Sequence, residues 1–345
     1  MPKTLPFLFF MLVMPSSLLK ANEEGLALTE AKATSGSSYQ KDSFFAPEEP
    51  SIEPQNTFVI PALSLLLPGL GQLIEGQYAA AATYFSIAVA GNSYGSYNLK
   101  KSLSFTDSAQ YEAKSDEFKE NLVTHGEFER KAAAGYQLAF ATGSFSAYHN
   151  FRTRALTHQP YGGYRFLSKE KEDTPLDILM APLRFDFLAR SSTYIPLSII
   201  TGYFLLSQTI SPPEEMVRDK LSGSDILFSA TSSLAAGTHE EALFRGWMLP
   251  LLYETTNSPL WSNGLTSLFF AAAHLSTVQI PLAQLLIGWH LGSVTQKNGW
   301  SIQEAVFIHT WWDIVAFLSI YQYKLREPDA RVLPVLWLPP LEVHF

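Results

Sequence analysis

Long stretches of this chain carry no acidic or basic residue, and its charge is gathered between them. Residues 54–74 and 76–99 are two such stretches, each long enough to cross a ~30 Å hydrocarbon core. Pro68-Gly69, Gly71 and Gly76 break the pattern where the two meet, which predicts a tight helical hairpin. Residues 132–151 and 191–210 are two more charge-free stretches. Residues 225–253 predict a helix whose charges sit together in its middle, and residues 255–296 carry no charge at all, enough for two helices with Pro281 near their junction. Residues 305–323 hold one charge, Asp313. The pattern therefore predicts an all-α fold, a polytopic membrane helix bundle of about eight transmembrane helices.

The ends read differently. Residues 1–21 have the shape of a signal peptide: Lys3 gives a positive start, residues 5–19 are apolar, and Ala21 precedes a possible cut. Pro6 and Pro15 interrupt that run. Residues 22–57 are acidic and rich in Ser and Pro, a solvated linker with no core of its own. Residues 58–222 show no chemical motif and read as an accessory transmembrane region. The loop at 100–131 is mixed in charge. The loop at 152–190 holds Arg152, Arg154, Arg165, Lys169, Lys171, Arg184 and Arg190, which places it on the cytoplasmic side and the linker on the periplasmic side. The tail, 324–345, is broken by Pro334, Pro339 and Pro340 and is not read as a span.

Composition narrows the function. Hydrophobic residues make up 47% of the chain and charged residues 16%, against about 25% charged in ordinary soluble domains. A net charge of -8 gives nucleic-acid binding no electrostatic support. The absence of cysteine excludes a disulfide framework, a thiol nucleophile and a thiolate metal site.

Three pieces carry chemistry. In the run from His239 to Gly246, the adjacent carboxylates Glu240 and Glu241 lie within an apolar helix. Such residues usually face a bundle interior or a wet cavity. Glu241 and Arg245 are four apart and can pair on one helix face, leaving Glu240 about 100° away and free for chemistry. The second piece is Phe270-Ala-Ala-Ala-His274, whose small residues allow close helix approach and a cavity above the imidazole. The third is His309-x3-Asp313, where an acid one turn away orients the imidazole. Taken alone, each has a plain structural reading: headgroup charges, a hydrogen-bonded core histidine, or a helix-joining His-Asp pair. His290, between Gly288 and Gly292, reads as a structural residue at a close helix crossing, and His239 as one that caps the helix interior. Together, so many buried polar groups must meet one another, or hold water or a metal.

Glu240-Glu241-x3-Arg245, Phe270-x3-His274 and His309-x3-Asp313, in this order, resemble the CPBP family: the CAAX proteases and bacteriocin-processing enzymes, or Abi group. The resemblance covers residues 224–322 and makes 223–323 the expected catalytic core. It implies an intramembrane endopeptidase acting on a membrane-embedded or lipid-anchored peptide or protein. Glu240 would be the general base that activates water, with His274 assisting. His309 and Asp313 would polarise the scissile carbonyl or steady the oxyanion, and Glu241 and Arg245 would form the supporting ion pair. The family is commonly described as metalloprotease, and Glu240, His274 and His309 could supply three ligands to Zn2+. No two histidines have the close helical spacing of a zincin, so a metal-free glutamate mechanism stands equally open. Two other readings compete: a non-catalytic membrane immunity or scaffold protein that binds through the same cluster, and a transporter with a carboxylate-histidine relay. The transporter would want a matching cluster in the first half, where none is seen. With a signal peptide, the expected setting is a bacterial inner membrane, in contact with its lipids.

Overall fold

The computed structural model describes residues 56–105, 116–159, 163–167, 173–210, 223–275 and 281–324. The expected signal peptide, almost all of the linker and the tail lie outside these residues. Among the described residues the fold is helical, with no strand.

The first hairpin forms where the breakers stand. Helix α1 (Asn56–Leu66) ends before Pro68, α2 (Leu70–Ile74) is a single short turn, and α3 (Tyr78–Leu103) runs back. Gly69 and Gly76 both take positive φ, 91° and 75°. A Cβ on Gly69 would strike the carbonyl of Ala81, so only glycine serves there. Helix α4 (Asp116–His158) packs along α3. The contact is backbone to backbone, because Gly91 and Gly95 of α3 face Gly135 of α4 and leave no room for a Cβ on any of them.

The expected loop at 100–131 is largely helix: α3 continues to Leu103 and α4 begins at Asp116. The charges that suggested a loop are paired on helix surfaces. His125 meets Glu129 one turn on at 3.1 Å. Phe128 stacks on Phe105 and lies under the ammonium groups of Lys101 and Lys131. Likewise the basic loop at 152–190 uses its charge structurally: Arg154 pairs with Glu75 at 2.7 Å, Arg184 with Asp186, and Arg190 with Glu304.

After α4 come a short helix, α5 (Pro175–Met180), and two 3-10 turns (Ala181–Leu183 and Phe185–Ala189). Then follow α6 (Ser191–Ile210), α7 (Gly223–Glu241), a π turn (Ala242–Met248), α8 (Leu249–Thr256), α9 (Pro259–Ala273), α10 (Leu282–Lys297) and α11 (Gln303–Lys324). Helix α7 packs on α4 and α11, α9 on α10, and α6 on α11. The π turn has a local cause. Pro250 has no N–H to give the carbonyl of Gly246, four residues back, and its ring would press on that carbonyl; the wider turn moves the two apart. Gly246 also receives the ring of Tyr148 against its bare Cα.

No described helix is long and apolar enough to cross a membrane, which corrects the expectation of about eight spans from charge-free lengths alone. The charge-free stretches are diluted by Ser, Thr, Asn, Gln, Gly and Tyr, and mean hydropathy over the chain is only +0.05. The run at 255–296 is divided into α9, of 15 residues, and α10, of 16. At 1.5 Å per residue these are about 22–24 Å long, short of a ~30 Å core.

Helices α7 and α11 lie in close contact at Gly237. A Cβ there would overlap the Thr310 hydroxyl and come within 2.8 Å of the Thr310 backbone nitrogen. Gly237→Ala is expected to cost about 1–3 kcal/mol through overpacking, read as a fall in the thermal unfolding temperature of purified protein. An unchanged transition would show that this crossing is looser than described.

Candidate active site

Glu240 and Glu241 close the last turn of α7, and the following π turn carries Arg245. Glu241 and Arg245 are both fully buried. The expected pairing is present: Arg245 Nη1 donates to Glu241 Oε1 at 2.8 Å. Its Nη2 donates to the carbonyl of Gly288 on α10 at 3.0 Å, and the guanidinium lies 4.4 Å from the ring centre of Phe270 on α9. One side chain therefore ties the π turn to two other helices. A Cβ at Gly288 would come within 3.2 Å of Arg245 Nη2, so glycine there lets the guanidinium reach the backbone.

The same oxygen, Glu241 Oε1, accepts a second hydrogen bond, from His309 Nδ1 on α11 at 2.7 Å. That bond fixes the ring. Its other nitrogen, Nε2, lies 3.5 Å from Asp313 Oδ2 and 3.9 Å from Glu240 Oε2. A carboxylate at each ring nitrogen is the setting of an imidazole that donates from both sides. Phe270 meets the ring edge-on, centres 5.7 Å apart.

His274 stands at the C-cap of α9. Its Nδ1 donates to the carbonyl of Phe270 at 2.8 Å, which turns Nε2 toward Glu240 Oε2, 3.9 Å away. Glu240 Oε2 is buried, makes no direct hydrogen bond, and stands 3.9 Å from both imidazoles. At that length neither contact is a direct hydrogen bond, and both suit one shared water. The structure thus brings together all six residues singled out in the sequence: Glu240, Glu241, Arg245, His274, His309 and Asp313.

The donors agree in kind with a zinc site: a carboxylate oxygen and two imidazole nitrogens, each ring held at Nδ1 by an acceptor. Their spacing does not. Neighbouring ligands of tetrahedral zinc, bonded at about 2.0–2.1 Å, lie roughly 3.3 Å apart, and the two gaps to Glu240 are 3.9 Å. Among the described residues no group of three or more His, Asp or Glu side chains is arranged to hold a metal ion.

His290 and His239 have other partners. His290 bonds the carbonyl of Ser192 on α6 at 2.7 Å, and buried His239 meets Phe140 edge-on at 5.1 Å. Two contributors carried no sequence signal of their own: the Gly288 carbonyl, which is backbone, and Glu304, which accepts from Arg190, Ser192, Thr193 and Asn298 at the start of α11.

Residues 222–315 match the family model for type II CAAX prenyl endopeptidase, Rce1-like. In this segment the chain is similar to the Rce1-like CAAX protease family, consistent with the CPBP resemblance. It runs from the start of α7 into α11 and holds all six site residues. Nothing before residue 222 falls within the Rce1-like match. No curated protein and no solved structure gives a significant match to the chain.

Proposed function

We propose that this protein is an intramembrane endopeptidase of a bacterial inner membrane, hydrolysing a peptide bond in a membrane-embedded or lipid-anchored protein. The observation that carries this reading is the placement of Glu240 Oε2 between the imidazoles of His274 and His309, inside the segment that matches the Rce1-like family. In this mechanism Glu240 takes a proton from a water that His274 helps to hold, the water oxygen bonds to the scissile carbonyl carbon, and as the C–N bond breaks Glu240 passes that proton to the departing amine. His309 donates from Nε2 to the carbonyl oxygen as it gains charge, with Asp313 steadying the ring. Glu241 and Arg245 keep His309 in that orientation.

A lipid surround fits the outer surface. Ile199, Leu205, Leu206, Leu227 and Leu286 are each more than half exposed, and apolar area of this kind is costly in water. Water activation is assigned to Glu240 alone, without zinc. Stoichiometric zinc in the purified protein, with activity lost to a chelator and restored by zinc, would replace that assignment.

Glu240→Gln separates catalysis from binding, because the amide keeps the shape and most hydrogen bonds but cannot accept the proton. Membrane proteomes of a deletion strain and a Glu240→Gln strain are expected to share the same uncut protein. Normal processing in the Glu240→Gln strain would instead favour a non-catalytic immunity or scaffold role for the cluster.

A further inference from the structure

Residues before the family match also meet the N-terminus of α11. Asp173 lies just before α5, outside the family match, and is 4% exposed. Its Oδ2 accepts the backbone N–H of Ile302 at 2.6 Å. Its Oδ1 accepts from Ser301 Oγ at 2.8 Å and from Gln303 Nε2 at 2.7 Å. One carboxylate thus takes a backbone donor and two side-chain donors at the start of the helix that carries His309 and Asp313. Ile302 and His309 are seven residues apart, two turns on the same face, so a shift at Ile302 is transmitted along a rigid rod of about 10 Å.

Asp173 is itself held. Its backbone carbonyl accepts the Tyr148 hydroxyl at 3.1 Å, and Tyr148 is buried with its ring against Gly246 in the π turn that follows Glu240 and Glu241. Tyr148, Ile178, Ala181, Ala242, Ile302 and Val306 form one apolar cluster between these elements. A chain of contacts therefore runs from the π turn after the carboxylates, through Tyr148 and Asp173, to the helix of the imidazole. Burial raises the Asp173 carboxyl above its ordinary range, and its hydrogen bonds and Arg152 act against that rise. Burying a carboxylate is costly unless such partners hold it, and here all three hydrogen-bond donors sit at one helix end.

We infer that Asp173, seated on Tyr148, is a positioning residue that fixes the axial register of α11 and so holds His309 and Asp313 opposite Glu240. For its effect on turnover this inference rests on the peptidase reading above; for the geometry it stands alone.

The test uses the full chain in detergent, with Asp173→Ala, Asp173→Asn and Tyr148→Phe. Two measurements are made on each: steady-state hydrolysis of a farnesylated CAAX-type reporter peptide, and hydrogen exchange of the 303–313 backbone. A displacement of about 1 Å can cost on the order of 10²-fold in rate. Asp173→Ala is expected to lower kcat per folded molecule by about 10²-fold with KM within twofold, and to speed exchange in the first turns of α11. Asp173→Asn keeps an acceptor for the Ile302 N–H and is expected to lose only about tenfold. Tyr148→Phe is expected to fall between wild type and Asp173→Ala. Wild-type kcat and wild-type exchange in folded Asp173→Ala would overturn the inference. Should the wild type leave the reporter uncut, the peptidase reading loses that support, while the exchange arm still decides the positioning role. Should Asp173→Ala fail to fold, Asp173→Asn and Tyr148→Phe decide it.

Discussion

Arg245→Met is expected to cost about 3–5 kcal/mol, the penalty for removing one partner of a buried ion pair. Glu241 is fully buried, and Arg245, charged at any working pH, is one of its two described side-chain partners, the other being His309. Methionine fills part of the volume but leaves the carboxylate with His309 alone. It also frees the Gly288 carbonyl and the face of Phe270, so the π turn, α9 and α10 lose their common tie. Against a usual total stability of 5–15 kcal/mol, the loss should appear as poor accumulation and a much lower unfolding temperature in detergent. Glu241→Gln combined with Arg245→Met is expected to be milder than Arg245→Met alone, because no net charge is then left behind. Near-wild-type unfolding of Arg245→Met would mean that the pair is not what secures these helices.

Glu240→Ala and His274→Ala are each expected to lower kcat by about 10²–10⁴-fold, and the double variant should be no slower than the worse single one. Both act on the same water in the proposed mechanism, so losing either disables the step that the other serves. Residues that work as one unit are not additive. The measurement is hydrolysis of the farnesylated reporter by the four proteins, normalised to folded material. Rate losses that multiply in the double variant would show that Glu240 and His274 act in separate steps.

The site was more legible in the sequence than the fold around it. The spacing of Glu241 and Arg245 gave their pairing, and with it the freedom of Glu240, because helical periodicity alone decides which side chains share a face. The glycines beside His290 correctly signalled a close crossing, and the backbone at Gly288 turned out to receive Arg245. Absence of charge is not apolarity: residues 255–296 lack charge, yet Ser, Thr, Asn and Gln recur through them and the run divides into α9 and α10. The mixed charge of 100–131 does not mark a loop throughout: Phe128 with Lys101 and Lys131 lies on helix surfaces there. Asp173 gave no signal at all. Its partners are 128 to 130 residues away in the chain, and no local pattern reports a contact of that separation.

The π turn between α7 and α8 has a consequence for how this stretch tolerates change in length. A π turn is an α-helix holding one surplus residue, so the segments on its two sides are out of ordinary phase. Upstream, that phase points Glu240 at the imidazoles; downstream, it sets Tyr253 against Phe166 and Trp300, with ring centres 4.6 and 4.9 Å away. Excising a single residue from 242–248 would regularise the helix and rotate one half by about 100° against the other. The carboxylates or the aromatic trio would then have to give way, so in this rod the irregular turn is the arrangement that satisfies both ends.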